Sequence, residues 1–212
     1  MRPSELFSTC LSVEYTHTER GGDFAVLREG RRRYLFFQAS DGVEDWKNNL
    51  RFPARAFRWR GRVEWYAHRG FLEVWRAVRP YLLRELRDRS VEELWTVGYS
   101  HGAALALLCH EEIYRMRPEM RARMCGYGFG CPRVLWGDPS VEVRARWERF
   151  VLARIPEDLV THLPPAAMGY CDVGERWEIC EAGRYSAVDA HRPENLLWEL
   201  LAAEKEGTAR IL

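Results

Sequence analysis

Apolar residues along this chain alternate between short unbroken runs and stretches with helical spacing. From Asp23 to Gln38 the pattern predicts two short strands around the turn Glu29-Gly30, the second carrying Tyr34-Leu35-Phe36-Phe37. Between Phe71 and Leu86, apolar residues recur at Leu72, Trp75, Val78, Leu82 and Leu86, the period of a helix. Pro80 lies inside that pattern and predicts a kink or a break. The run Leu94 to Gly98 reads as a strand, and Ala103 to Leu108, rich in Ala and Leu, as a helix. Met124 to Phe129, Phe150 to Ile155 and Arg176 to Cys180 read as further buried strands. His191 to Ala203 closes the series with a helical period through Leu196, Leu197, Leu200 and Leu201. Strands that alternate with helices predict an α/β fold, a mostly parallel central sheet with helices on both faces. The chain has 212 residues and shows no repeat, low-complexity tract or Gly/Ser linker, so one domain over residues 1–212 is expected.

Composition changes this picture only in places. Hydrophobic residues make up 47% of the chain and charged residues 30%, enough for a sizeable core beneath a solvated surface. The stretch Arg55 to Tyr66 interleaves basic residues with aromatic ones, as a surface for single-stranded nucleic acid would. The formal net charge is only +1, however, and no nucleic-acid motif accompanies the stretch. A solvated strand edge with Arg stacked on Trp is the expected reading, and no nucleic-acid partner is implied. Arg31-Arg32-Arg33 is expected at a solvated hairpin end. No apolar stretch approaches the ~18 residues needed to span a bilayer. Among the six cysteines no two form a CxxC pair, which argues against a structural zinc site. The first residues, Met1 to Glu5, lack the apolar core of a signal peptide. These features predict a cytoplasmic protein with reduced thiols, several of them packed as small hydrophobes. No metal ligands and no cofactor are read, and the sequence does not indicate an oligomeric state.

The candidate chemistry centres on Gly98-Tyr99-Ser100-His101-Gly102, between the predicted strand Leu94 to Val97 and the predicted helix from Ala103. A serine hydroxyl is a poor nucleophile until a base takes its proton and its oxygen is held before a carbonyl. A strand-to-helix elbow provides the second condition: flanking glycines permit the tight turn, and the helix N-terminus lies beside the developing oxyanion. Ala103 and Ala104 supply the small side chains that a close helix–strand contact requires.

With its flanks, this elbow resembles that of the class 3 lipases, the fungal-triacylglycerol-lipase-like branch of the α/β hydrolases. Val97 to Ala106 is similar to that family's GHSLGGALA, with His101 in place of Leu and Ala103 in place of Gly. Tyr127 to Val134 resembles its TFGxPRV strand, Ala67 to Phe71 its VHxGF segment, and Glu157 to Pro165 its D-[IV]-V-P-x-L-P-P loop. Phe37 to Ser40, followed by Asp45-Trp46, resembles FRGT/S and a DW pair, although Gln38 and Ala39 replace Arg and Gly. The similarity runs in order from Tyr34 to His191.

The resemblance implies a compact α/β-hydrolase fold and a serine carboxylic-ester hydrolase, a lipase or esterase acting on acylglycerols or similar lipid esters. It implies Ser100 as nucleophile, Asp158 as acid and His191 as base, in the chain order of this fold. Ser40 and the backbone N–H of His101 would form the oxyanion hole. Of the other five histidines, His101 would line the pocket, His68 would be structural, His162 would not act as base, and His17 and His110 lack a motif. The rival acids Asp172 and Asp189 are expected at the surface. Residues 42–50 occupy the place of a lid, with Trp46 and Leu50 as its apolar contacts. An ordinary surface helix there fits equally well. A small-molecule or lipid ester is the expected substrate, with transient contact at a lipid interface. The alternative is a non-catalytic α/β-hydrolase-like domain that binds a lipid or a protein.

Overall fold

The computed structural model describes residues 1–19, 21–39 and 53–212. In chain order, helix α1 (Pro3–Ser12) is followed by strands β1 (Gly22–Glu29), β2 (Arg32–Ala39), β3 (Ala54–Trp59) and β4 (Arg62–His68). Next come α2 (Arg69–Arg87), β5 (Glu93–Tyr99), α3 (His101–Met116), β6 (Met124–Phe129) and β7 (Leu135–Trp136). The short helix α4 (Val141–Arg144) precedes β8 (Phe150–Arg154), β9 (Tyr170–Cys171), β10 (Glu175–Glu178) and α5 (Pro193–Glu206).

The central sheet has six strands in the order β1-β2-β5-β6-β8-β10. The β1–β2 hairpin is antiparallel, and the pairings from β2 through β10 are all parallel. Its inner strands are buried on both faces, so successive side chains join different cores. Leu35, Phe37, Phe150 and Leu152 pack with α2 and α3, whereas Tyr34, Phe36, Val151 and Ala153 pack with α1 and α5. That arrangement is why these strands read as continuous apolar runs instead of alternating ones. The expected parallel sheet with helices on both faces is present.

Other parts differ from expectation. Helix α2 runs through Pro80 without interruption. Pro80 and Arg76 are both exposed, so the Arg76 carbonyl that loses its partner to the proline ring faces water. A second sheet, β3-β4-β7-β9, is antiparallel throughout and was not anticipated. β3 is one of its two edge strands, and of the aromatic residues of Arg55 to Tyr66, Phe57 and Trp65 turn inward while Tyr66 is exposed. Phe57 and Trp65 stack on each other with centroids 4.2 Å apart, and the Trp65 indole N–H donates to buried Glu111 at 3.3 Å. Burial of the apolar faces thus takes precedence over stacking beneath arginine. Arg31 and Arg32 are exposed, but Arg33 is buried beside Glu85 and Asp88. All six cysteines are free, four of them buried. Among the described residues no helix is long and apolar enough to cross a membrane.

Candidate active site

Ser100 joins the end of β5 to the start of α3 with φ 55° and ψ −125°. Only glycine tolerates this region readily, and among the described residues Arg60 is the one other non-glycine with positive φ. Close packing holds the turn. A Cβ on Gly98 would sit 2.2 Å from the Gly102 carbonyl oxygen, and one on Gly102 would sit 2.1 Å from the Phe37 carbonyl oxygen at the end of β2. Both neighbours are backbone and cannot swing away, which explains the two glycines of the motif. The Ser100 N–H donates to the Phe129 carbonyl of β6 at 2.9 Å, tying the elbow to the next strand. Ser100 itself is buried except for a small opening.

Asp158 follows β8 and caps a short 3-10 turn over Leu159–His162. It is fully buried; its Oδ1 accepts the Val160 N–H at 2.9 Å, and its Oδ2 lies 2.8 Å from His191 Nδ1. His191 ends another 3-10 turn, Asp189–His191, just before α5, and its Nε2 lies 2.8 Å from Ser100 Oγ. Since an ionised carboxylate only accepts, Nδ1 carries the proton it donates to Asp158, and Nε2 is left to accept from the serine hydroxyl. The serine and the acid come from the carboxyl ends of parallel strands, the edge at which sites of open α/β sheets form. Gly130, just past β6, lies directly against this array. Its φ is +57°, and a Cβ there would be 3.0 Å from Asp158 Oδ2 and 3.0 Å from His191 Cε1.

The structure therefore brings Ser100, Asp158 and His191 into one hydrogen-bonded line. His101 opens α3, where the first backbone N–H groups have no intrahelical acceptor. Its ring packs on Phe71 with centroids 5.1 Å apart, and neither ring nitrogen has a hydrogen-bond partner among the described residues. Burial, with His68 nearby, pushes its pKa down to about 4. Ser40, Trp46, Leu50 and the candidate lid 42–50 lie outside the described residues.

The remaining histidines sit elsewhere. His17 pairs with Asp23 at 3.0 Å, and His162 Nε2 is 3.1 Å from the Pro156 carbonyl. His68 caps α2 by accepting the Phe71 N–H at 3.4 Å, and burial pushes its pKa down to about 4. His110 is buried 3.4 Å from Thr96 Oγ1, and burial pushes it down to about 3. Asp172 lies near Arg133 and Arg154 at 3.8 and 3.9 Å, and Asp189 accepts from Ser186 and pairs with Arg192.

Sequence reasoning missed two residues of this site. Tyr99 donates its hydroxyl to the His191 carbonyl and stacks on the imidazole with centroids 5.2 Å apart and planes 21° apart. It stands between Gly98 and Ser100, a position that the G-x-S-x-G spacing leaves open, so no spacing signals it. Gly130 stands in the segment resembling TFGxPRV, and that glycine was the available signal.

The model of the class 3 lipase family matches residues 34–168. A lipase of Rhizomucor miehei is 29% identical over 158 residues, covering 70% of this chain and 42% of that protein. A secreted mono- and diacylglycerol lipase A of Penicillium cyclopium is 28% identical over 184 residues, covering 82% of this chain and 58% of that protein. The chain thus spans about half the length of the curated relatives it matches. The solved structure of Rhizomucor miehei triacylglyceride lipase is similar at TM-score 0.65 and 25% identity, over 80% of this chain and 66% of that one. The fold is that of the α/β hydrolases. The expectation of a cytoplasmic protein is corrected by these findings, because relatives similar over most of the chain are secreted lipases. That expectation rested on the first few residues and on free thiols, and neither fixes a compartment.

Proposed function

The chain belongs to the class 3 lipase family, and from that premise we propose that it is a serine carboxylic-ester hydrolase acting on acylglycerols or similar lipid esters. The observation that carries this reading is the line from Ser100 Oγ through His191 to Asp158, with both contacts at 2.8 Å, at a strained elbow. In the proposed reaction His191 Nε2 takes the Ser100 proton as Oγ attacks the ester carbonyl. Asp158 keeps the imidazole in the required tautomer and stabilises the imidazolium. The backbone N–H of His101, at the positive end of α3, donates to the oxyanion; one such donor contributes ~3 kcal/mol. The tetrahedral intermediate expels the alcohol, which leaves with the proton from Nε2, and the acyl group remains on Ser100. Water then repeats the sequence: His191 takes its proton, the acyl–Oγ bond breaks, and the carboxylic acid departs as Ser100 regains its proton. We assign Ser40 as the second oxyanion donor and residues 42–50 as the lid on their motif positions alone, and we read residues 1–212 as one domain.

A fluorophosphonate probe tests the reading. Labelling of the wild type and none of Ser100→Ala is expected, together with loss of p-nitrophenyl ester hydrolysis in the variant. A wild-type chain that folds but neither labels nor hydrolyses esters would refute it and leave a binding domain.

A further inference from the structure

We propose that Tyr99 is a positioning residue for the base, holding His191 by its hydroxyl and supporting the imidazolium by its ring. The inference rests on the serine-hydrolase reading above. His191 stands at the end of a short 3-10 turn, and such a turn does not by itself fix a ring against a serine on another element. Two bonds at the ring edge, to Asp158 and Ser100, define its plane but leave its faces unsupported. Tyr99 closes one face. Its ring lies nearly parallel to the imidazole, and its hydroxyl reaches past the ring to the main-chain carbonyl of the same residue. One side chain therefore holds both the backbone and the ring of the base.

Tyr99 is itself held. Phe7 of α1 meets it edge-on with centroids 5.5 Å apart, and the neighbouring Ser100 N–H is anchored on β6. Burial, with Asp158 and Glu194 nearby, pushes the phenol pKa well up, so the hydroxyl stays neutral and donates. During the reaction the imidazole becomes a cation beneath the face of an aromatic ring. A cation within ~6 Å of a ring centroid is attracted to the ring's negative face. The ring therefore favours the protonated base, in the same direction as Asp158. The other groups around this pair are Ser100 on the elbow, Glu194 in the first turn of α5, and Asp189 and Arg192, which pair with each other at 3.1 Å.

The two parts of the role separate by substitution. Tyr99→Phe keeps the ring and removes the hydroxyl; Tyr99→Leu removes both. The readouts are fluorophosphonate labelling, and kcat and KM for p-nitrophenyl butyrate from pH 5 to 9. In Tyr99→Phe, kcat is expected to fall ~10-fold with KM unchanged, because a loosened base spends less time in line. In Tyr99→Leu the loss is ~100-fold and the pKa of the acidic limb, where the base takes up a proton, drops by ~0.5, the imidazolium having lost its ring. Phe7→Leu, which loosens the same packing from the far side, should lower Tm and leave that pKa in place. Wild-type chain that does not label removes the hydrolase reading itself. Wild-type labelling with Tyr99→Phe and Tyr99→Leu both within twofold of wild-type kcat overturns the role of Tyr99 alone. If Tyr99→Leu does not fold, Tyr99→Phe decides: kcat within twofold of wild type, or a loss confined to KM, overturns the proposal.

Discussion

Replacing Gly130 with alanine tests whether the acid–base line tolerates displacement. The new methyl would meet Asp158 Oδ2 and His191 Cε1 at 3.0 Å and His191 Nδ1 at 3.1 Å. Carbon–carbon contacts are most favourable at ~3.5–4.0 Å, so the imidazole must retreat by about half an ångström. Asp158 is fixed by the Val160 N–H and fully buried, which leaves the ring as the part that yields. A misplacement of ~1 Å costs on the order of 100-fold, so half of that predicts a ~10-fold loss of kcat. The left-handed φ of +57° adds backbone strain of ~1–2 kcal/mol and lowers Tm by a few degrees. Gly137→Ala separates the two effects, since Gly137 also has a positive φ of +92° and nothing lies within 4 Å of its Cβ position. Steady-state kinetics on p-nitrophenyl butyrate well below Tm, beside thermal melts, should show Gly137→Ala less stable but fully active. Gly130→Ala should be both less stable and slow. A Gly130→Ala enzyme with wild-type kcat would refute the claim that displacing His191 by about half an ångström slows the reaction.

His191→Ala should lose ester hydrolysis by ~1,000-fold or more, whereas His162→Ala, whose ring faces the Pro156 carbonyl, should keep most of it; the reverse result would move the base to His162. Stability should fall on acidification from pH ~6.5 toward 4, read as Tm by circular dichroism. His68, His101 and His110 are held neutral with pKa values pushed down to about 4, 4 and 3 from 6.5, so in this window the unfolded chain binds protons that the folded chain does not. A Tm that rose on acidification would contradict the sign.

The central strands and the serine elbow could be read from residue pattern because each depends on local spacing. Tyr34 to Phe37 and Phe150 to Arg154 are buried on both faces, and burial on both faces leaves an unbroken apolar run. The second sheet was illegible for the opposite reason. β7 and β9 contain two residues each, too few for any period, and they form only by pairing, β7 with β4 and β9 with β7. Arg55 to Tyr66 looked like a basic aromatic surface because the sequence does not say that Phe57 will face Trp65 across a hairpin. The candidate acid and base came from motif order. Their distances, and the contacts of Tyr99 and Gly130 with them, depend on loops from separate strands meeting at one sheet edge, which no short sequence window contains.

The strained backbone of Ser100 sets stability against activity at a single residue. A glycine at this position would relieve the left-handed strain and remove the proposed nucleophile, so on the proposed function the most stable sequence for this turn is an inactive one. The surrounding core must supply the difference, through Gly98 and Gly102 packed against backbone and Ala103 and Ala104 sealed beneath the sheet. Selection for robustness alone would erode the elbow first. A chain that turns over esters as proposed has to keep the elbow against that pressure.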